Sequence, residues 1–264
     1  MTSGDCDPGG GASESTGPTG PTGRASKELV ARVLAAVGGY VDGVGYVALF
    51  RLFTAHQSGN SAGLGVALGA GDWTDAWRRG IAIAAYVVGV ALGTLLVELG
   101  RLRGLRSTGS LVGAVQIAIL CSALGLGEVA ARSGKIAPAD TTSYALTAAC
   151  LAGAMGLQTV TLRRVGRSTV RTTFVTGVLT DMAESLVASW FRRDRAGRQR
   201  LRSSSWLLGS VWVLYLGGAV LGGVAERAWS FAALAVPIVV VAIVAGWQFR
   251  EGYQPSIPEQ RLSG

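Results

Sequence analysis

Six runs of about twenty apolar residues limit what this chain can fold into more than any other feature of its sequence. An α-helix rises about 1.5 Å per residue, so a run of this length crosses the roughly 30 Å hydrocarbon core of a bilayer. The chain is 49% hydrophobic and only 15% charged. The sequence therefore predicts an all-α membrane protein with transmembrane helices at residues 29–50, 80–97, 111–131, 143–162, 206–225 and 229–249.

Two further segments leave the number of spans open. Segment 52–70 is uncharged but rich in glycine, hydroxyl and amide groups, and segment 172–190 carries Asp181 and Glu184 near its centre. If both segments cross the membrane, the protein has eight transmembrane helices. If both enter the membrane and return to the same side, it has six helices plus two broken or re-entrant segments.

The distribution of arginine favours six spans. Cytoplasmic loops carry the excess of Lys and Arg, and eight spans would leave two arginine clusters outside, at residues 101–106 and 163–171. We therefore expect six spans with both termini in the cytoplasm. Because these loops also explain the formal charge of +8, we expect the lipid bilayer, and not a nucleic acid, as the partner.

The chain divides into a tail, a membrane domain and a second tail. Residues 1–26 are mostly Gly, Pro, Ser and Thr, a composition that predicts disorder. The membrane domain is expected at residues 27–250 and a short tail at 251–264. The cysteines are too widely spaced for a disulfide framework or a metal site, at Cys6, Cys121 and Cys150, so we expect neither a metal nor a cofactor.

Sequence motifs recur in the two halves in the same order. The pattern Thr54-x-x-x-Ser58-Gly59 returns as Thr172-x-x-x-Thr176-Gly177, and Tyr86-x-x-Gly89-x-x-Leu92-Gly93 returns as Tyr215-x-x-Gly218-x-x-Leu221-Gly222. This order predicts two structural repeats, about 29–131 and 141–250. With three spans each, tandem repeats have opposite orientations in the membrane, which is the inverted-repeat plan of many secondary transporters.

The inverted plan makes a further prediction about the two polar segments. Interrupted segments at matching positions mark the midplane binding site of such transporters. We therefore expect Thr54 to Asn60 to approach Thr172 to Thr176. The small faces at Gly89 and Gly93 and at Gly218 and Gly222 permit close helix pairs, and a homo-oligomer is compatible with the sequence.

Asp42 is the one acid in the apolar run 33–50. A charge at the centre of a bilayer helix costs roughly 2.5 to 3.5 kcal/mol on insertion scales, so this carboxylate needs a partner or a function. It is interpreted either as a proton or cation site or as a structural aspartate bonded to hydroxyls or to an arginine. Gln158 holds nearly the same place in the second repeat and is its predicted counterpart.

The segment after Asp42 offers polar groups that could bind a solute at a re-entrant tip: Thr54, His56, Ser58, Gly59 and Asn60. The alternative is a polar seam between packed helices. A lone histidine makes no metal cluster, and His56 and Ser58, two residues apart, face different ways on a helix. We therefore expect neither a metal site nor an enzyme.

A second acidic pair lies in the later polar segment. Asp181 and Glu184 are three residues apart and share one face if their segment is helical. They are expected either to line a cavity open to the cytoplasm or to pair with nearby arginines. With Thr172, Thr176 and Gly177, they complete the predicted site of the second repeat.

Two stretches resemble a known family. They are GGYVDGVGYVALFRLFTAHQSGNSAGLG, residues 38–65, and GAMGLQTVTLRRVGRSTVRTTFVTGVLTDMAESL, residues 153–186. Both are similar to the YoaK-type family of bacterial multi-pass membrane proteins, whose defining domain has no established function. The resemblance covers residues 31–249 and implies a location in the bacterial inner membrane. It supplies no substrate.

These observations favour a small secondary transporter or permease for a small polar or ionic solute, coupled to a proton or cation. The main alternative is a non-transporting membrane protein with a role in assembly or signalling. A hydrated cavity that reaches both polar segments would favour transport. A tightly packed core with a fully paired Asp42 would favour the alternative.

Overall fold

The computed structural model describes residues 21–133, 141–161 and 175–253, and every regular element among them is helical. The helices are α1 (Pro21–Ala48), α2 (Gln57–Ala70), α3 (Trp73–Leu102), α4 (Thr108–Arg132), α5 (Thr141–Thr161), α6 (Val175–Phe191), α7 (Arg195–Trp229) and α8 (Ala235–Glu251). A 3-10 segment, Ser230–Leu234, joins α7 to α8. The predicted all-α fold is confirmed for the described residues.

Within the described residues, four stretches are long and apolar enough to cross a membrane: Glu28–Ala48, Trp73–Leu102, Thr108–Arg132 and Arg195–Glu251. The last has 57 residues and contains both α7 and α8. The protein is therefore a membrane protein of several apolar helices. The count of six spans stays a prediction.

The two ambiguous segments form short helices. Helix α2 has 14 residues, about 21 Å at the usual rise, so it is too short to cross roughly 30 Å of hydrocarbon. Helix α6 has 17 residues, about 26 Å. Among the described helices, α2 packs on α3 and α6 packs on α7. Each polar segment is thus one arm of a hairpin with the long helix that follows it.

Glycine allows two pairs of helices to pack backbone to backbone. A Cβ on Gly218 or Gly222 of α7 would fall on the carbonyl oxygen of Ala36 or Tyr40 in α1. Because the contacts follow the same order along both helices, α1 and α7 run parallel. The glycine faces expected to form close pairs are therefore used inside one chain.

The second glycine-mediated pair joins α3 to α5. A Cβ on Gly89 would fall on the carbonyl oxygen of Gly153, and Gly93 lies against Leu157 and Val160 further along α5. These helices are also parallel. Small residues hold helices together in lipid by this close approach, because burial of apolar surface provides little driving force for helix association there.

The ends of three helices meet beside the loop between α3 and α4. The Ser107 hydroxyl donates to the carbonyl oxygen of Tyr253 at 3.0 Å, and the Tyr253 hydroxyl donates to the carbonyl oxygen of Thr161 at 3.2 Å. Burial raises the pKa of this tyrosine above its usual value. The Arg106 side chain donates to the carbonyl oxygen of Arg250 at 3.1 Å, so the end of α8 lies at this arginine-rich end.

One predicted boundary differs from the structure. Helix α1 begins at Pro21, so it includes residues 21–26 of the predicted tail, because proline suits the first turn of a helix, where its missing N–H is not needed. The rest of that tail, residues 134–140 between the predicted repeats and residues 254–264 lie outside the described residues. Pro237 lies in the first turn of α8, where its missing N–H is not needed.

Neighbouring glycines on α7 test the backbone contact. Gly218→Ala would push a methyl group into α1, whereas the Cβ of Gly217→Ala meets nothing within 4 Å. Overpacking of this kind costs about 1 to 3 kcal/mol, and alanine otherwise favours a helix. Thermal unfolding of the purified variants in detergent is expected to give a lower Tm for Gly218→Ala and an unchanged or higher Tm for Gly217→Ala. Equal values would contradict the packing.

Candidate functional site

The chain reverses direction sharply after α1. Two residues without the freedom of glycine, Phe50 and Arg51, have φ of 53° and 66°, a left-handed conformation that is strained for bulky side chains. The Tyr144 hydroxyl donates to the carbonyl oxygen of Leu49 at 3.0 Å, and the Arg78 guanidinium lies over the Tyr144 ring, 4.8 Å from its centroid. We call residues 49–56 the reversal loop.

The reversal loop folds back onto the Asp42 carboxylate. Oδ1 accepts hydrogen bonds from the Thr54 amide at 2.6 Å, the Thr54 hydroxyl at 2.8 Å and the Ala55 amide at 2.6 Å. Oδ2 accepts from the Tyr215 hydroxyl of α7. Asp42 is 2% exposed, and an ionised carboxylate can only accept hydrogen bonds. The four donors therefore satisfy a charge that would be costly alone in an apolar core.

Asn60 fixes the other end of the reversal loop. Its side-chain amide donates to the Phe53 carbonyl oxygen at 2.6 Å, and its Oδ1 accepts from the Phe53 amide at 3.1 Å. The side chain of Gln57 donates to the Thr54 carbonyl oxygen at 2.8 Å. Since Asn60 belongs to the first turn of α2, these bonds make the loop and the start of α2 one unit.

His56 extends the site beyond Asp42. Its Nδ1 lies 3.2 Å from the Tyr215 hydroxyl, so this hydroxyl stands between the imidazole and Oδ2 of Asp42. Asp42 is buried, whereas His56 is half-buried. The three side chains form a chain of hydrogen bonds that runs from the core toward the surface.

The tyrosine of the first repeat makes a related contact. The Tyr86 hydroxyl lies 2.9 Å from the Thr159 hydroxyl. Thr159 therefore contacts the tyrosine of its repeat motif as Asp42 contacts Tyr215, whereas Gln158 was the expected counterpart. Gln158 instead donates to the Leu34 carbonyl oxygen at 2.8 Å and accepts from Gln116 at 2.9 Å. Leu34 precedes Asp42 by eight residues, about 12 Å along α1.

The structure therefore brings Asp42, Thr54, His56 and Asn60 together and leaves Ser58 exposed beside them. A Cβ on Gly59 would lie 3.0 Å from the Phe53 ring, so this glycine lets α2 approach the loop.

The predicted site of the second repeat is not assembled in the same way. Thr172 lies outside the described residues, and the remaining members are exposed along α6: Thr176, Gly177, Asp181 and Glu184. No ion pair joins Asp181 or Glu184 to a described residue. Helices α2 and α6 make no contact with each other, so the expected approach of the two polar segments is absent from the described residues.

A cavity of about 620 Å³ opens between α6 and α7. Its lining combines apolar side chains with a few polar ones: Met182, Leu186, Arg202, Ser205, Trp206, Gly209, Ser210, Trp212 and Val213. Trp212 is three residues before Tyr215, about one helical turn. In the hairpin of α2 and α3, by contrast, the Arg79 guanidinium occupies the space beside Gly63.

Two residues of this region have little signal in the sequence. Tyr215 belongs to a repeated motif, but only its recurrence as Tyr86 points to its bond with Asp42. Arg32 lies in the predicted first span and donates from Nε to the hydroxyl of Ser210, a cavity residue, at 2.8 Å. Within the described residues, no group of three or more His, Cys, Asp and Glu could hold a metal ion.

Comparison with known proteins agrees with the resemblance predicted from the two polar stretches. The family described as "Protein of unknown function (DUF1275)" matches residues 30–247. The UPF0700 transmembrane protein YoaK of Bacillus subtilis (strain 168) is 25% identical over 220 residues, which are 83% of this chain and 93% of that protein. No solved structure matches the chain.

The two tyrosines provide a matched test of the Asp42 contact. Tyr215→Phe removes a donor from a buried carboxylate, whereas Tyr86→Phe removes a partner from a neutral hydroxyl that also donates to the Met155 carbonyl oxygen. A hydrogen bond to a charge contributes about 1.5 to 3 kcal/mol and a neutral one about 0.5 to 1.5 kcal/mol. In thermal unfolding, Tyr215→Phe is expected to lower Tm more than Tyr86→Phe. The reverse order would show that Asp42 does not depend on Tyr215.

Proposed function

Because the chain belongs to the DUF1275 family of unknown function, we propose its function from the geometry of its own site. It is a small secondary transporter or permease of the bacterial inner membrane, with both termini in the cytoplasm. It carries a small polar or ionic solute, and Asp42 binds the coupling proton.

The observation that carries this proposal is the set of elements joined at one carboxylate. Asp42 belongs to α1, its Oδ1 holds the reversal loop, and its Oδ2 holds α7 through Tyr215. A change of charge at this atom therefore acts on both halves of the protein at once. Ionisable groups inside membrane domains commonly mark proton and ion pathways.

The pairing of helices supports two inverted repeats. In two matching repeats, α1 corresponds to α5 and α3 corresponds to α7. Exchanging the repeats then turns the α1–α7 pair into the α5–α3 pair. Both pairs are parallel and packed through glycine. The same correspondence turns the hairpin of α2 with α3 into the hairpin of α6 with α7. An arrangement of three spans and one hairpin arm in each half accounts for this pattern.

One hairpin is closed and the other is open, as expected for a transporter that is open to one side of the membrane. Asp42 and Asn60 seal the tip of α2, and Arg79 fills the space between α2 and α3. The matching space between α6 and α7 is an open cavity whose lining includes Trp212, one turn before Tyr215. In alternating access, one repeat closes while the other opens around a fixed site, so the two repeats are expected to be unlike in any one state.

The hydrogen bonds around Tyr215 provide a route for the proton. A proton on Oδ2 of Asp42 would donate to the Tyr215 oxygen, and the Tyr215 hydroxyl would turn to donate to Nδ1 of a neutral His56. Oδ1 would still face the loop amides, but as part of a neutral group. Because charge-assisted hydrogen bonds are roughly twice as strong as neutral ones, protonation loosens the reversal loop.

One observation favours the alternative, a membrane protein of assembly or signalling that does not transport. Every Asp42 oxygen has a donor, and neither Asp42 nor segment 54–60 lines the large cavity. In this alternative, the carboxylate has only a structural role, which is to hold α1, the reversal loop and α7 together.

Uptake measurements separate the two functions. Metabolite profiles of a deletion strain and an overexpressing strain would identify the solute, and purified protein in liposomes would then be given an inward proton gradient. Asp42→Asn keeps the size of the side chain and removes its charge. We expect it to reduce gradient-driven accumulation at least about tenfold while solute exchange persists.

Glu251→Gln is the matched control, because it removes an exposed acid at the end of α8, outside both predicted sites. It is expected to leave accumulation intact. Undiminished uptake by Asp42→Asn would exclude Asp42 as the coupling residue. Identical profiles of the two strains, with no protein-dependent uptake of any profiled solute, would favour the alternative function.

A further inference from the structure

The cavity between α6 and α7 continues into a second, basic one. This neighbour has a volume of about 200 Å³ and is lined by Arg195, Arg198, Gln199, Arg202, Ser203 and Trp206. Arg202 and Trp206 line both cavities. The two spaces therefore form one crevice along α7, apolar at one end and basic at the other, which we call the α6–α7 crevice.

The basic end of the crevice gathers positive charge on one helical face. Arg195, Arg198 and Arg202 follow one another at spacings of three and four residues, so they project to the same side of α7. Among the described residues, none that lines either cavity is acidic. This end is therefore suited to a group with net negative charge.

The other end of the crevice is suited to hydrocarbon. Its walls include Met182, Leu186, Trp212 and Val213. Trp206, which lines both cavities, is 78% exposed where the crevice turns basic. Trp190 and Phe191, at the end of α6, are also exposed, at 70% and 81%. Aromatic rings collect at the level of lipid head groups, which places the basic end at the membrane surface and the apolar end within it.

We propose that the α6–α7 crevice binds one anionic phospholipid. The phosphate and the negative head group contact Arg195 and Arg202, and an acyl chain enters the apolar part beside Gly209. Basic pockets between membrane helices bind anionic lipid head groups in this way. A free phosphate would use only the basic end and would leave the apolar walls unmatched. The proposal does not depend on transport.

Native mass spectrometry of the full-length protein would test head-group selectivity. The probes are phosphatidylglycerol and phosphatidylcholine with identical acyl chains, added to protein in detergent. We expect phosphatidylglycerol to bind at least about tenfold more tightly. The double variant Arg195→Gln with Arg202→Gln is expected to lose this preference. Arg198 is left unchanged because it donates to the Arg192 carbonyl oxygen at 3.0 Å.

The control removes the same charge elsewhere, as Arg103→Gln with Arg193→Gln, since neither residue lines the crevice. It is expected to keep the preference. Equal binding of the two lipids by the unmodified protein, or an equal loss in both double variants, would overturn the proposal. Displacement of the lipid by inorganic phosphate at millimolar concentration would also overturn it, because the site would then recognise free phosphate.

A second pair of variants tests the acyl-chain end. Gly209→Leu places a large side chain in the cavity, where a Cβ would lie 3.3 Å from the flexible Met182 sulfur. Gly217→Leu makes the same change two turns later on α7, where nothing lies within 4 Å. We expect only Gly209→Leu to weaken phosphatidylglycerol binding, by about tenfold or more. Unchanged binding would show that no acyl chain occupies the cavity.

Discussion

The buried carboxylate of Asp42 determines how the first third of the chain is arranged. An ionised carboxylate away from water needs donors, and three of its four hydrogen bonds come from Thr54 and Ala55. Those residues can reach it only because the chain reverses through Phe50 and Arg51 in a left-handed conformation. Helix α2 then starts near Asp42 instead of beyond the end of α1, so it is a short arm paired with α3.

Glycine provides the second constraint, because it fixes which helices can meet. The contacts of Gly218 and Gly222 with α1 bring Tyr215 to Asp42, and the contacts of Gly89 and Gly156 join α3 to α5. Each half of the chain thus completes its packing with a helix from the other half. A residue at this interface, such as Tyr215, can transmit a local change of charge to both halves.

The sequence predicted the helical fold and much of the first polar site for clear physical reasons. Long apolar runs specify membrane helices, and an acid inside such a run signals a specific environment, as at Asp42. Tyr215 could not be found in this way, because a tyrosine in a span is as compatible with lipid as with a carboxylate. Aligned motifs do not show which face a side chain occupies, and Gln158 bonds to Leu34 and Gln116 instead of to a tyrosine. The short helices α2 and α6 needed the structure, since the composition of their segments allowed both crossing and return.

Hydrogen exchange at the amides of Thr54 and Ala55 tests most directly whether the charge on Asp42 holds the reversal loop. In Asp42→Asn the acceptor remains but is neutral, and the loss of charge assistance is expected to weaken these bonds by about 1 to 1.5 kcal/mol. The account predicts that protection of these two amides falls about tenfold while the amides of α5 keep theirs. Unchanged protection in the loop, or an equal loss in α5, would contradict the account.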